Sequence, residues 1–189
     1  MANLEKKKAS GFALIELVVT IAILAILSTV LFFNFRSTST NKTARNQIVS
    51  LITSTIRRAQ TMSTSSTKVS GNVVCGFGVH YINANSIKIY AGSEASCAVA
   101  NRNYQAGTDF DIENITIPNA NLEIKSSFND IFFEPPDPKT FINNYAGLSG
   151  PLSITTTTIS VGVKTQGCGS LRCTDIIVKT SGGIDINDN

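Results

Sequence analysis

The chain has 189 residues and a mass of 20.2 kDa, enough for one compact domain of roughly 100 to 150 residues and a separate apolar segment, but not for two large domains. A net charge of +3 selects no partner by itself, so the placement of the charges has to be read instead. The 42% of hydrophobic residues are unevenly spread: they concentrate between Phe12 and Phe35, and the remainder is rich in Ser, Thr, Asn and Gly.

Residues 1–11 form a short basic leader in which Lys6, Lys7 and Lys8 precede an apolar run. Residues 12–35 exceed the roughly 20 residues needed to cross a bilayer. They also exceed the apolar core of an ordinary secretory signal, and no small-residue cleavage site follows them. The three lysines orient such a span with its N-terminus in the cytoplasm of a bacterial inner membrane, as a single-pass protein whose remainder is exported. One residue conflicts with this simple picture. Glu16 lies inside the run, where a carboxylate costs on the order of 3 kcal/mol on insertion scales and therefore needs a compensating partner. Cleavage between Gly11 and Phe12 would create one, an α-amino group a single helical turn from Glu16, able to neutralise it within one chain or between staggered helices.

Basic leader, Gly11-Phe12 junction, Glu16 and long apolar run together resemble the N-terminal signal of type IV prepilins and type II secretion pseudopilins. The resemblance implies a prepilin peptidase that cuts after Gly11, which has no side chain to obstruct it, and N-methylation of Phe12. It implies a register role for Glu16 during assembly with other pilin or pseudopilin subunits, and contact with inner-membrane lipid beforehand. Many major pilins carry a helix-breaking proline where this chain has Phe33, and the span contains no glycine, so no local break in the helix is implied here.

Beyond Phe35 the helical period returns. Ala44, Ile48, Leu51, Ile52, Ile56, Ala59 and Met62 recur at steps of three and four, the stripe of an amphipathic helix that covers a sheet. Residues 36–66 are read as a continuation of the membrane helix, about 80 Å in all at 1.5 Å per residue, weakest over the Ser/Thr/Asn-rich stretch 37–43. Arg36, Lys42, Arg45, Arg57, Arg58 and Lys68 occur with no acidic residue between the first and the last. Such a stripe could meet lipid phosphates or DNA, with Lys42, Arg45, Arg57 and Arg58 as the DNA contacts, against the plainer roles of solubility and pairing with acidic neighbours.

Residues 67–189 read as an exported, β-rich domain. Strand-like runs fall at 73–81, 86–90, 122–125, 131–134, 152–163, 175–180 and 184–186, the last two joined by a hairpin signal at Ser181-Gly182-Gly183. Pro135, Pro136 and Pro138 make FEPPDP a loop or an edge. One long helix followed only by short strands gives an α+β fold with the helix laid on an antiparallel sheet, which is also the pilin-like fold that the resemblance implies. The Arg57-Arg58 stretch, the Gly-Phe-Gly-Val strand, the Phe-Phe-Glu-Pro-Pro loop and the closing hairpin are loosely similar to minor subunits typified by pseudopilin H and FimT.

All four cysteines lie in the exported part, which favours disulfides, with Cys168 to Cys173 across a short turn and Cys75 to Cys97 as the second pair. A four-cysteine zinc site is the rival reading, but neither spacing is the two-residue knuckle such sites usually show. Asp109, Asp111 and Glu113 alternate in DFDIE, and Asp185, Asp188 and Asn189 cluster near the end; either set could offer oxygens to calcium or form a solvated strand face. No cofactor is expected. His80 is the only histidine and has no evident nucleophile beside it, and no phosphate-cradling glycine loop occurs. The expectation is therefore a non-enzymatic filament subunit, with a DNA-binding minor pilin and a membrane-tethered domain that never polymerises as alternatives.

Overall fold

The computed structural model describes residues 12–65, 68–94, 97, 101–135, 139–144, 155–169 and 172–189, and for 12, 13 and 30–40 the backbone alone. The leader, with Lys6, Lys7, Lys8 and Gly11, lies outside the described residues. The chain divides into two compact units, 1–42 and 43–189.

Helix α1 runs Phe12–Thr64 and contains neither glycine nor proline, so no residue in it breaks the hydrogen-bond ladder. The hydroxyl-rich stretch 37–43 stays within it. After α1 the chain turns through Ser70 and Gly71, both at positive φ, closing a bridge between Val69 and Asn72.

Among the described residues nine strands form two antiparallel sheets, rather than the single sheet expected. Sheet I has the order β3-β2-β1-β5-β6, built from β1 Phe77–Asn83, β2 Ser86–Ala91, β3 Phe110–Thr116, β5 Ile131–Glu134 and β6 Lys139–Ile142. Sheet II has the order β4-β7-β8-β9, built from β4 Leu122–Ile124, β7 Thr156–Val163, β8 Cys173–Lys179 and β9 Ile184–Asp188. The expected hairpin between the last two strands is present, with Gly182 at φ 83° and Lys179 N–H donating to the Gly183 carbonyl. The first strand starts at Phe77 rather than residue 73, and the expected 152–163 strand is described from Thr156.

Strand β6 was not anticipated, and β3 only as the solvated strand face considered for DFDIE. Asp111, Glu113 and Asn114 give β3 a composition usually depleted in strands, and β6 is only four residues long and follows the prolines. Both are edge strands, where charge and brevity are tolerated and discourage unwanted pairing.

One core joins α1 to both sheets. Ile48, Ile52, Ile56 and Ala59 of α1 pack with Phe77, Val79, Ile87, Ile89 and Phe133 of sheet I and with Ile159, Val161, Ile176 and Val178 of sheet II. Each fully buried aliphatic side chain contributes roughly 1.5–3 kcal/mol. The buried face of α1 is wider than the predicted stripe: Arg45, Val49, Thr53, Thr55 and Ser63 are buried too, whereas Leu51 and Met62 are only half-buried. A helix wedged against two sheets covers more of its circumference than one laid on a single sheet. Ser63 anchors its end, its Oγ donating to the buried Phe133 carbonyl at 2.7 Å.

A second, smaller core forms on the outer face of sheet I from Cys75, Tyr90, Phe132 and Phe141, with Cys97 and Tyr104 against it. Period-two alternation produces it, since Phe133 points to the main core and its neighbour Phe132 to this one. The described parts of the β2–β3 connection cover it.

Candidate functional site

Helix α1 is described from Phe12 onward. In its first unit, Leu14, Ile15, Leu17, Val18, Val19, Ile21, Ile23, Leu24, Ile26 and Leu27 are all more than half exposed. Positions so closely spaced leave no polar face. The hydroxyls within the run satisfy themselves: Thr20 donates to the Leu17 carbonyl, Ser28 to Leu24, and Thr29 to Ala25 and Ile26. Glu16 is exposed and has no ion-pair or hydrogen-bond partner among the described residues. Among the described residues no helix is long and apolar enough to cross a membrane. The described side chains of this region cover 14–29, fewer than a span requires, and the expected span 12–35 runs past them into side chains outside the described residues.

Within the second unit the basic stripe is divided. Arg45 is buried and lies 3.9 Å from Asp188, whose other contact is the Thr174 hydroxyl at 2.7 Å. Burial turns this expected DNA contact into an internal residue. Arg58 is engaged by Glu113 of β3. Arg57 stays exposed on the wall of a groove of about 820 Å³ between α1 and the last two strands, while Lys42 is exposed in the first unit. Arg36 is among the residues whose side chains are not described.

The leader and the first part of α1 decide the comparison with known proteins. Residues 6–32 match the family described as the prokaryotic N-terminal methylation motif. The chain carries a prepilin-type signal. Comparisons with curated proteins and with solved structures returned no significant match. The prepilin-type signal includes the three lysines, the Gly11-Phe12 junction and Glu16, and leaves the β-rich unit outside it.

Outside the signal, the acidic residues considered for calcium are held separately. Asp109 accepts from the Ser93 and Gln105 amides, Asp111 from Lys88 and Tyr104, and Glu113 from Arg58. Asp185 pairs with Lys179, while Asn189 donates to Asp175. Neither set converges on a common point among the described residues; the one grouping of metal-type ligands there is Cys75, Cys97 and Glu134. Its sulfurs are taken by a disulfide, as are those of Cys168 and Cys173.

His80 belongs to a polar network on the outer face of sheet I that sequence spacing could not reveal. Its Nδ1 lies 2.7 Å from Asp130, which also accepts the Tyr104 amide, and the Tyr104 ring stacks on the imidazole at 4.5 Å. Lys88 reaches both Tyr104 and Asp111. Burial alone would lower the Lys88 pKa, yet the hydrogen bonds to Asp111 and Tyr104 outweigh it and raise it above the ordinary value. The Lys88 hydrogen bond in turn holds the Asp111 carboxyl below its usual range. Arg102 pairs with Glu134 and lies over the Phe141 ring at 4.0 Å. These contacts, with the Cys75–Cys97 bond, fasten the β2–β3 connection over the small core. Residues so mutually occupied form a clamp.

Proposed function

We propose that this chain is a structural, non-enzymatic subunit of a type IV pilus or type II secretion pseudopilus, cut by prepilin peptidase between Gly11 and Phe12 and N-methylated on Phe12. The observation that carries the reading is a helix, within the prepilin-type signal itself, with apolar side chains exposed on every side. Such a helix is stable only when surrounded, first by inner-membrane lipid and then by the helices of other subunits. Lys6, Lys7 and Lys8 keep the precursor's N-terminus in the cytoplasm, and the β-rich unit is exported. Glu16, the one charge in the run, pairs with the amine created at Phe12 and penalises every wrong stagger. The disulfides Cys75–Cys97 and Cys168–Cys173 fit an oxidising compartment. The loose similarity to pseudopilin H and FimT favours a minor subunit. A DNA-binding role draws less support, because Arg45 is buried and Arg58 is engaged by Glu113.

Mass spectrometry of the mature protein tests the processing, with a chain that begins at methylated Phe12 as the expected result. A chain that retains the leader would refute it. In a strain that assembles the filament, Glu16→Ala is expected to leave cleavage intact while abolishing incorporation. Normal incorporation would remove the register role without affecting the processing claim.

A further inference from the structure

The groove between α1 and β9 has features that packing within the subunit does not explain. In β9 the side chains of Ile184, Ile186 and Asp188 share a face with Thr174, Ile176 and Val178 of β8, the face that packs on the core. Ile186 is nevertheless 52% exposed, because α1 leaves a gap in front of it. Thr53 lines the same gap. It is only 6% exposed, and its Oγ1 has no hydrogen-bond partner among the described residues. Neighbouring hydroxyls behave otherwise, Ser54 and Thr55 both donating to the Leu51 carbonyl.

The backbone beside the gap is equally unpaired among the described residues. Cys173 and Asn189 exchange both of their hydrogen bonds, so in the antiparallel alternation residues 185 and 187 point their amides and carbonyls at β8. Ile186 and Asp188 then turn theirs outward, along the free edge of sheet II. A groove, an exposed apolar side chain on the core face and a row of unpaired amides thus coincide at one strand.

We propose that this groove receives an extended strand from a partner protein, added to the free edge of β9, with an apolar side chain set against Ile186 and an acidic one facing Arg57. Edge addition supplies the main-chain hydrogen bonds, and alternate side chains entering the gap supply the specificity. The acidic preference follows from charge. Arg57 is exposed on the groove wall, whereas Asp188 is already held by Thr174 and Arg45. A second copy's β9 fits this position poorly, because antiparallel pairing centred on Ile186 would bring the two Arg57 walls together, like charge to like. The inference does not depend on the role of the apolar helix.

The test uses the full mature chain, isotope-labelled, in detergent micelles. The probes are a synthetic peptide that carries valine and glutamate in turn at every second position, with threonine between them, so that both enter the gap, and its counterpart with lysine for glutamate. The glutamate peptide is expected to slow amide exchange at Ile186 and Asp188, and to bind at least about tenfold more tightly than the lysine peptide. Arg57→Glu is expected to reverse that preference. Ile186→Pro removes both the outward amide and the apolar side chain facing the gap, changes that an edge strand tolerates, and should abolish binding while residues 185 and 187 stay protected. If Ile186→Pro does not fold, the charge reversal by Arg57→Glu still decides the matter. No slowing at millimolar peptide, or a preference unmoved by Arg57→Glu, would overturn the proposal. So would protection that rises with protein concentration alone, which would give the groove to a second copy.

Discussion

Gly78→Ala tests how the outer face of sheet I is held together. In the β1–β2 pairing Gly78 stands directly opposite Tyr90, whose ring lies over it. A Cβ added at residue 78 would sit 2.5 Å from Tyr90 Cζ, 2.6 Å from Cε1 and 2.7 Å from the hydroxyl oxygen. Carbon contacts are comfortable at roughly 3.5–4.0 Å, so the ring would have to retreat by about 1 Å. It has little room to do so. Tyr90 is fully buried, with Tyr104 at 5.4 Å and Phe132 at 5.9 Å, and its hydroxyl donates to the Arg102 carbonyl at 2.6 Å. Overpacking of this kind costs about 1–3 kcal/mol, and stranding the hydroxyl about 1–3 kcal/mol more. The reduced freedom of alanine in the unfolded chain returns about 0.4–1 kcal/mol. The expected net loss is therefore about 1–5.5 kcal/mol, a large part of the stability of an ordinary domain. Denaturant unfolding followed by near-ultraviolet circular dichroism reads the loss, and Tyr90→Leu in the alanine background should recover part of it as a coupling of at least about 1 kcal/mol. A loss below about 1 kcal/mol, or two substitutions that simply add, would refute the steric reasoning.

Removing the two disulfides should cost unequal amounts. Chain-entropy estimates give about 3 kcal/mol for Cys75–Cys97, whose partners are 22 residues apart, and about 2 kcal/mol for Cys168–Cys173, 5 apart; equal or inverted losses in paired serine variants would contradict this. Alkaline pH should destabilise the β-rich unit. Burial, with Asp130 and Asp109 adding to it, raises the Tyr90 phenol well above its ordinary value. A raised folded value means the stabilisation is full below about pH 10 and is lost as pH climbs through the folded pKa; the raised Lys88 value acts with the same sign. Melting temperature measured from pH 8 to 11 should fall at the upper end, less steeply in Tyr90→Phe, and an equally steep fall in that variant would sink the assignment.

The prepilin-type signal was legible because its chemistry is local: a basic leader, a Gly-Phe junction, a carboxylate and an apolar run need no tertiary contact to be recognised. The same holds for α1 over Ile48, Ile52, Ile56 and Ala59, whose spacing alone places them on one face, and for the hairpin at Ser181-Gly182-Gly183. Contacts between residues far apart in the chain could not be read this way. Arg45 looks like an exposed base until β9 brings Asp188 beside it, and the acidic DFDIE segment looks like a ligand set until Arg58 arrives from α1 and Lys88 from β2. Sequence periodicity reports which face of an element is apolar, not which sheet covers it. Hence the second sheet, the clamp around Tyr104 and the uncovered gap at Ile186 were settled only when the strands paired, since local composition determines elements while long-range register determines which side chains meet.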